Sequence, residues 1–254
     1  MTDVITLPDT LVVDAAEAFD RYRFAVENRL LIQGGWHAEE DGRHLACALG
    51  VLGRPVDSAS KCPASVMPRW LALMVPNVFD RLSFEDATAW GMALYEQLAR
   101  LKGQVPFSVV YDWQANCVLE FWAGSLKKRK FSPEVLAEKL AAVESLVALH
   151  RRHLAGETAP KAEWREVLRK VYAYAYADAD AYAYAYADAD AYAYADADAD
   201  AYAYADADAE PTAPAPGETR ADLVKRRRAE NLKLLADGLV AALARAPAPE
   251  AAAA

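Results

Sequence analysis

The chain has 254 residues and a formal net charge of −9, and ten of its negative charges, nine aspartates and Glu210, lie between residues 172 and 210, where no lysine or arginine occurs. The remaining sequence is close to neutral, at about +1, so the acidic balance does not exclude a nucleic-acid partner. The three cysteines are too few for a secreted disulfide scaffold, and no stretch has the pattern of a signal peptide or the roughly 18 to 20 apolar residues of a membrane span. We expect a cytoplasmic protein with reduced thiols.

The first two predicted elements lie in residues 14–31 and 43–52. Apolar residues recur at intervals of three and four over residues 14–31, which predicts an amphipathic helix that ends before Gly34. The second stretch is short, apolar and bounded by Gly42 and Gly53, and it fits either a buried strand or a buried helix. Its length and alanine content favour the helix.

Prolines and helix caps divide the next part of the sequence. Three prolines interrupt residues 62–82, which predicts separate helices of one or two turns there. Ser83 and Asp86 have the spacing of a capping box, and the apolar period that follows predicts a helix that ends at Gly103.

Two further helices are predicted between residues 106 and 154. Residues 106–122 keep a helical apolar period, although several of them are β-branched. Ser132 followed by Pro133 is typical of an N-cap with proline at the first helical position. The apolar period then continues to about Leu154, and Gly156 is the expected stop.

Residues 161–210 begin as an amphipathic helix and continue into a low-complexity repeat, in which alanine alternates with tyrosine or aspartate. A period of two is typical of a strand, but aspartate is depleted from strands and the run far exceeds the usual length of about 3 to 10 residues. Alanine is the best helix former, and no proline or glycine intervenes before Pro211. We therefore expect one extended helix, with disorder and β-stacking as the alternatives.

The predicted fold class is all-α, with a compact helical body, a long extended Ala/Tyr/Asp-repeat helix and a C-terminal amphipathic helix. Thr219 and Asp222 have the spacing of a capping box at the start of that last helix. The expected segments are a helical globular domain (1–160), the helix start and repeat (161–210), a Pro/Ala linker (211–218), the basic C-terminal helix (219–246) and a disordered tail (247–254).

Four residues in the first part of the chain have the chemistry of metal ligands. Two imidazoles and two thiolates would make a chemically sensible zinc site. Their spacing is not that of a CxxC zinc knuckle, and buried cysteines with surface histidines are the alternative interpretation. The sequence predicts no catalytic residue and no cofactor, and the candidates for a metal are His37, His44, Cys47 and Cys62.

Two other features have residue types that carry chemistry. Cys117 with His150 or His153 could form a nucleophile and base, but no activating motif surrounds the cysteine, and its apolar neighbours predict a core position. The basic runs at residues 127–130 and 225–228 have the charge to contact phosphates. A solvated helix face, or contact with the acidic repeat, is the alternative interpretation of these runs.

Three stretches resemble phage and prophage proteins of uncharacterised function. HRRHLAGETAPKAEWREVLRKVYAYAYADADA (150–181) is similar to their AGE turn, short helix start and Ala-rich run of YA or DA pairs. GWHAEEDGRHLACALG (35–50) and CPASVMPRWLA (62–72) are similar to the N-terminal part of the same group. The repeat also distantly resembles Ala-rich helices of proposed bacterial immunity proteins. The resemblance implies a mobile-element origin and a helical fold, without an established activity.

We therefore expect a non-enzymatic interaction protein of phage or prophage type in the cytoplasm of a bacterial host cell. Its expected partner is a protein or a second copy of the chain, and its expected role is binding, such as immunity, inhibition or acidic mimicry. One alternative is zinc binding through His37, His44, Cys47 and Cys62. The other is nucleic-acid binding through residues 127–130 and 225–228.

Overall fold

The computed structural model describes residues 5–172, 215 and 217–249, and this part of the chain is mainly helical. The chain divides into two compact units, Met1–Pro106 with Leu243–Ala254, and Phe107–Ala242. The helices are α1 (Ala15–Glu27), α2 (Arg69–Arg81), α3 (Phe84–Arg100), α4 (Ser108–Trp113), α5 (Leu119–Lys128), α6 (Pro133–Leu154), α7 (Lys161–Tyr172) and α8 (Arg220–Arg245). The strands are β1 (His37–Glu40) and β2 (Arg43–Ala46).

The first unit is organised around α1 and α3, whose starts follow from their caps. The Asp14 carboxylate accepts hydrogen bonds from the backbone amides of Ala16 and Glu17, and the Ser83 hydroxyl accepts one from Asp86. Between the two helices the rings of Tyr22 and Tyr95 stack with centroids 4.8 Å apart, and both are fully buried. The buried Tyr95 hydroxyl donates to the Ala48 carbonyl at 2.6 Å, so this polar atom is satisfied inside the core.

The helix predicted for residues 43–52 is wrong, and the all-α fold class therefore needs a correction. Residues 43–46 form β2, which pairs antiparallel with β1, and only Gly50–Leu52 is helical, as a single 3-10 turn. Asp41 and Gly42 both adopt positive φ, which is the conformation of the tight turn favoured in two-residue hairpins. The first unit is thus helical with one two-stranded hairpin.

The separate short helices predicted for residues 62–82 are also wrong. Arg69–Arg81 is one helix, and Pro76 lies inside it. Proline deprives a helix of one backbone hydrogen bond, a loss of about 3 kcal/mol in an exposed helix interior. Here the burial of one apolar face outweighs that loss, because Trp70, Leu71, Met74, Val75, Val78 and Phe79 are all buried.

The second unit is built from α4 to α7. A π-helical turn, Gln114–Val118, joins α4 to α5. The apolar period of residues 106–122 did not predict this turn. The prediction for α6 is confirmed, since the Ser132 hydroxyl accepts from the Val135 amide and Pro133 is the first helical residue. One core holds α5, α6 and α7 together; its buried members are Leu119, Trp122, Leu126, Ala142, Val143, Leu146, Leu168 and Val171.

Helix α8 packs closely against the π-helical turn within the second unit. The buried indole of Trp113 donates to the Leu235 carbonyl at 2.9 Å, and the Cys117 thiol lies 3.8 Å from the Leu234 carbonyl. Gly238 makes this approach feasible, because a Cβ atom there would overlap the Cys117 sulfur. A capping box in the sequence predicted where α8 begins. In the structure the Thr219 hydroxyl accepts a hydrogen bond from the Asp222 amide at 3.1 Å.

Part of the predicted organisation falls outside what the structure describes. The repeat from residue 173 onward, residues 211–214 and 216 of the linker and the last five residues of the tail lie outside the described residues. The division after Pro106 lies within the segment 1–160 that the sequence assigned to one domain. Among the described helices, none is both long and apolar enough to cross a membrane.

Candidate functional site

The hairpin brings the two predicted histidine ligands together. In its register His37 faces Ala46 and Glu39 faces His44, so the two histidines are diagonal neighbours across the strands. His37 Nδ1 and His44 Nε2 are 3.0 Å apart, which is a hydrogen-bond distance, and the ring centroids are 5.1 Å apart. We call these two residues the histidine pair.

The outer contact of His37 fixes one proton of this pair. His37 Nε2 is 3.0 Å from the Val56 carbonyl, which accepts only, so this nitrogen carries a proton and donates. The donor of the inner hydrogen bond depends on the tautomers of the two rings. His44 Nδ1 is buried and faces the Asp9 carboxylate, and the His44 ring also forms a hydrogen bond to the Leu7 backbone.

The segment before α1 covers the histidine pair and supplies a carboxylate. The His44 amide donates to the Thr6 hydroxyl at 2.8 Å, and Asp9 Oδ1 lies 3.5 Å from His44 Nδ1. Arg54 fixes this carboxylate, since its Nε donates to Asp9 Oδ1 at 3.0 Å and its guanidinium also pairs with Glu39. The acidic side chain therefore stands opposite His44 Nδ1, the outer nitrogen of the buried ring.

Burial and charge keep His44 neutral. Its side chain is only 3% exposed, and this burial is the main reason why the pKa of His44 lies below its usual value. The Arg54 guanidinium and His37 lower that pKa further, whereas a hydrogen bond to the Leu7 backbone and the charge of the Asp9 carboxylate oppose the decrease. His44 thus carries no positive charge near pH 7.

The two cysteines predicted as further ligands are protonated thiols. Burial raises the pKa of Cys47, whose sulfur accepts a hydrogen bond from the Gly50 amide at 3.4 Å. Burial also raises the pKa of Cys62 to about 12. Zinc is bound by thiolates, so zinc binding at either cysteine would have to release the thiol proton. Within residues 5–172 and 217–249 no group of three or more His, Cys, Asp or Glu side chains could hold a metal ion.

The second unit holds the other two histidines in a cluster of aromatic rings. His150 is 2% exposed, its ring lies 5.1 Å from that of Trp164, and neither ring nitrogen has a hydrogen-bond partner among the described residues. Burial lowers the pKa of His150 to about 3, and nearby His153 adds to the shift. His153 Nε2 accepts the Trp164 indole proton at 3.1 Å, so it holds α6 to α7.

The nucleophile and base considered from the sequence occupy different surroundings. Cys117 lies beside Leu234 and Gly238 of α8, and like Cys47 and Cys62 it is not part of a disulfide bond. His150 and His153 lie against Tyr111 and Trp164. These positions indicate packing roles for the three residues.

Both basic runs belong to the second unit. Residues 127 and 128 end α5 and residues 129 and 130 follow it; Lys127 and Lys130 are exposed, with no ion pair to either lysine in the described residues. In the run 225–228 of α8, Arg226 pairs with Glu218 and Glu230. The first run therefore presents two lysines without a described ion pair, whereas acidic neighbours neutralise Arg226 in the second run.

Apolar periodicity did not predict the hairpin that carries the histidine pair, but the residues of its turn are a signal in the sequence. Asp41-Gly42 between two polar-apolar runs is a strong hairpin signal, and it would have placed His37 opposite the region of His44. The contributions of Asp9, Arg54 and Val56 depend on tertiary contacts, and no local pattern marks them.

Comparisons of the chain with protein-family models, with curated proteins and with solved structures found no match. The resemblance to phage and prophage proteins therefore stays a prediction.

Proposed function

We propose that the protein is a non-enzymatic interaction protein whose second unit binds the phosphate backbone of a nucleic acid. The observation that carries this proposal is the pair of exposed lysines without a described ion pair, Lys127 in the last turn of α5 and Lys130 just after the helix. Phosphate contacts by such side chains supply affinity without sequence readout.

The charge of the described part of the second unit supports the same proposal. Residues 107–172 and 217–242 contain 17 lysines and arginines against 12 aspartates and glutamates, whereas the repeat between them adds ten acidic residues. Several of the basic side chains are partly neutralised on the protein itself, as when Arg152 pairs with Glu157 and Glu163. Lys127 and Lys130, together with exposed Lys225, are the groups available to replace the cations condensed on a nucleic acid.

Fluorescence anisotropy of a labelled DNA duplex of random sequence, titrated with the full chain at low salt, tests this function. The double variant Lys127→Gln/Lys130→Gln should bind more weakly, because it removes two exposed charges without touching the core. Arg69→Gln/Lys102→Gln is the matched control: it removes two exposed charges, for which no ion pair is described, from the first unit and should bind like the wild type. Equal weakening by both variants, or no binding by the wild type, would overturn the proposal.

The acidic-mimic role is a second form of interaction that the sequence favours. Residues 172–210 carry ten acidic residues and no basic one, which suits a basic partner, and residues 173–210 lie outside the described residues. The same anisotropy assay with a labelled polylysine peptide distinguishes the two roles. Binding to polylysine alone would favour the mimic, and with it an immunity or inhibitory role of phage type.

A further inference from the structure

Four partly exposed aromatic side chains of the second unit lie next to one another where α4, α6 and α7 meet. The Tyr111 ring meets Phe107 edge to face, with centroids 5.0 Å apart. On its other contacts, the Tyr111 centroid lies 4.8 Å from that of His153 and 6.3 Å from that of Trp164. The planes of Tyr111 and Trp164 differ by only 27°. We call these four residues the aromatic cluster.

Contacts within the second unit hold these rings in one orientation. The Trp164 indole N–H donates to His153 Nε2 at 3.1 Å, which ties α7 to α6. The buried ring of His150 lies 5.6 Å from the Tyr111 ring and 5.1 Å from the Trp164 ring. Because these rings are already fixed, a planar molecule that stacks on them orders few additional side-chain torsions.

A lysine beside the aromatic cluster is available to an anion. Lys161 is exposed and lies one helical turn before Trp164, on the same side of α7, and no ion pair to it occurs in the described part of the chain. The glutamates nearby in sequence, Glu157 and Glu163, both pair with Arg152. A free cation next to partly exposed rings suits a ligand that is planar and also carries negative charge, as a nucleotide does.

From these observations we infer that the second unit binds single-stranded nucleic acid, with a base stacked on the aromatic cluster and a phosphate beside Lys161. The inference rests on the proposed function and names its substrate class. In a duplex the faces of the bases are covered by their neighbours, whereas the bases of a single strand can stack on aromatic side chains. Every base has a π-face, so this contact carries little sequence preference.

The aromatic cluster and the lysines of the proposed phosphate site lie near opposite ends of α6. Lys130 shortly precedes Pro133, the first residue of the helix, whereas His150 and His153 lie close to its last residue, Leu154. Between Pro133 and His150 the helix rises by about 25 Å, at about 1.5 Å per residue. This length corresponds to roughly seven phosphate steps of about 3.4 Å. A longer single strand can therefore contact both places.

Two oligonucleotides with the same phosphates, of which only one has bases, test this inference on the full chain. One is a labelled oligothymidine of about 20 nucleotides, and the other is an abasic strand of the same length. Anisotropy titrations at the same low salt concentration give both affinities. The wild type should bind the oligothymidine more tightly, by about 5- to 100-fold, because one base stacked on an aromatic ring contributes about that factor.

The variant Tyr111→Leu removes the stacking ring and keeps an apolar side chain against Phe107. It should lose most of the preference for the oligothymidine and bind the abasic strand like the wild type. Phe121→Leu is the matched control, because Phe121 is also a partly exposed aromatic residue of the second unit and lies outside the aromatic cluster. This control should keep the wild-type preference.

Equal affinity of the wild type for the two strands would overturn this inference and leave the phosphate contacts of Lys127 and Lys130 in place. An undiminished preference in folded Tyr111→Leu would have the same meaning. The comparison on the wild type needs no variant, so it decides even where Tyr111→Leu does not fold. If the wild type binds neither strand and no duplex, the proposed function fails, and this inference fails with it.

Discussion

Gly91 and Tyr22 lie so close together that a Cβ atom at Gly91 would overlap the phenol hydroxyl of Tyr22. Since Tyr22 is fully buried and stacked on Tyr95, its ring cannot move without disturbing the centre of the first unit. Gly91 is therefore needed for the packing of α1 against α3.

The Gly91→Ala variant should lose stability through this overlap. Overpacking of a core typically costs about 1 to 3 kcal/mol. Gly124, in α5, is the matched control, because a Cβ atom there meets nothing within 4 Å. Gly124→Ala should keep or raise stability by up to about 1 kcal/mol, as alanine favours a helix. Urea unfolding followed by circular dichroism measures both, and equal stability of the two variants would contradict this account.

A second prediction concerns the contact between Gly238 and Cys117. Gly238→Ala should destabilise the second unit, because the new Cβ would overlap the Cys117 sulfur and lie 2.9 Å from its Cβ. Cys117→Ala removes the sulfur, so the double variant should recover part of the loss. A double-mutant cycle from urea unfolding measures this coupling, which we expect at about 0.5 to 3 kcal/mol. Additive effects would show that α8 does not approach the π-helical turn in solution.

The third prediction is a loss of stability in acid that depends on His150. Its pKa is about 3 in the folded protein, whereas the usual value is 6.5, so the unfolded chain binds this proton more readily. The contribution of neutral His150 is present above pH 6.5 and is lost as the pH falls toward 3, by roughly 1.4 kcal/mol per pH unit. The free energy of unfolding of His150→Leu, measured with urea between pH 7.5 and 5, should lack this part of the pH dependence.

At pH 7.5 the substitution of histidine by leucine distinguishes the role of buried His150 from that of half-buried His153. His150→Leu should cost little, because both ring nitrogens lack partners among the described residues. His153→Leu should cost about 1 to 3 kcal/mol, because it removes the acceptor of the Trp164 indole proton. The reverse order of stabilities would show that His150 has a polar partner in solution.

The sequence predicted best where one local rule decides the structure. Capping boxes and prolines predicted where α3 and α6 begin, because Ser83, Ser132 and Pro133 act within a single helical turn. Local rules failed at residues 43–46, where pairing with β1 overrides alanine content, and at Pro76, where burial outweighs the missing hydrogen bond.

The candidate site was predictable in its residue types and only partly in its chemistry. His37 and His44 were singled out from the sequence, and the hairpin does bring them within hydrogen-bond distance. The same logic grouped them with Cys47 and Cys62, whose burial disfavours the thiolate form. Burial and the contacts of Asp9 and Val56 arise from the tertiary fold, which composition and spacing do not encode.

The salt dependence of nucleic-acid binding tests the central functional claim most directly. Anisotropy titrations of a DNA duplex at several salt concentrations give the slope of log K against log salt concentration. We expect a negative slope whose magnitude is smaller in Lys127→Gln/Lys130→Gln, by about 0.9 for each phosphate that the variant no longer neutralises. A wild-type affinity that is independent of salt, or the same slope in wild type and variant, would contradict the proposal that Lys127 and Lys130 bind the phosphate backbone.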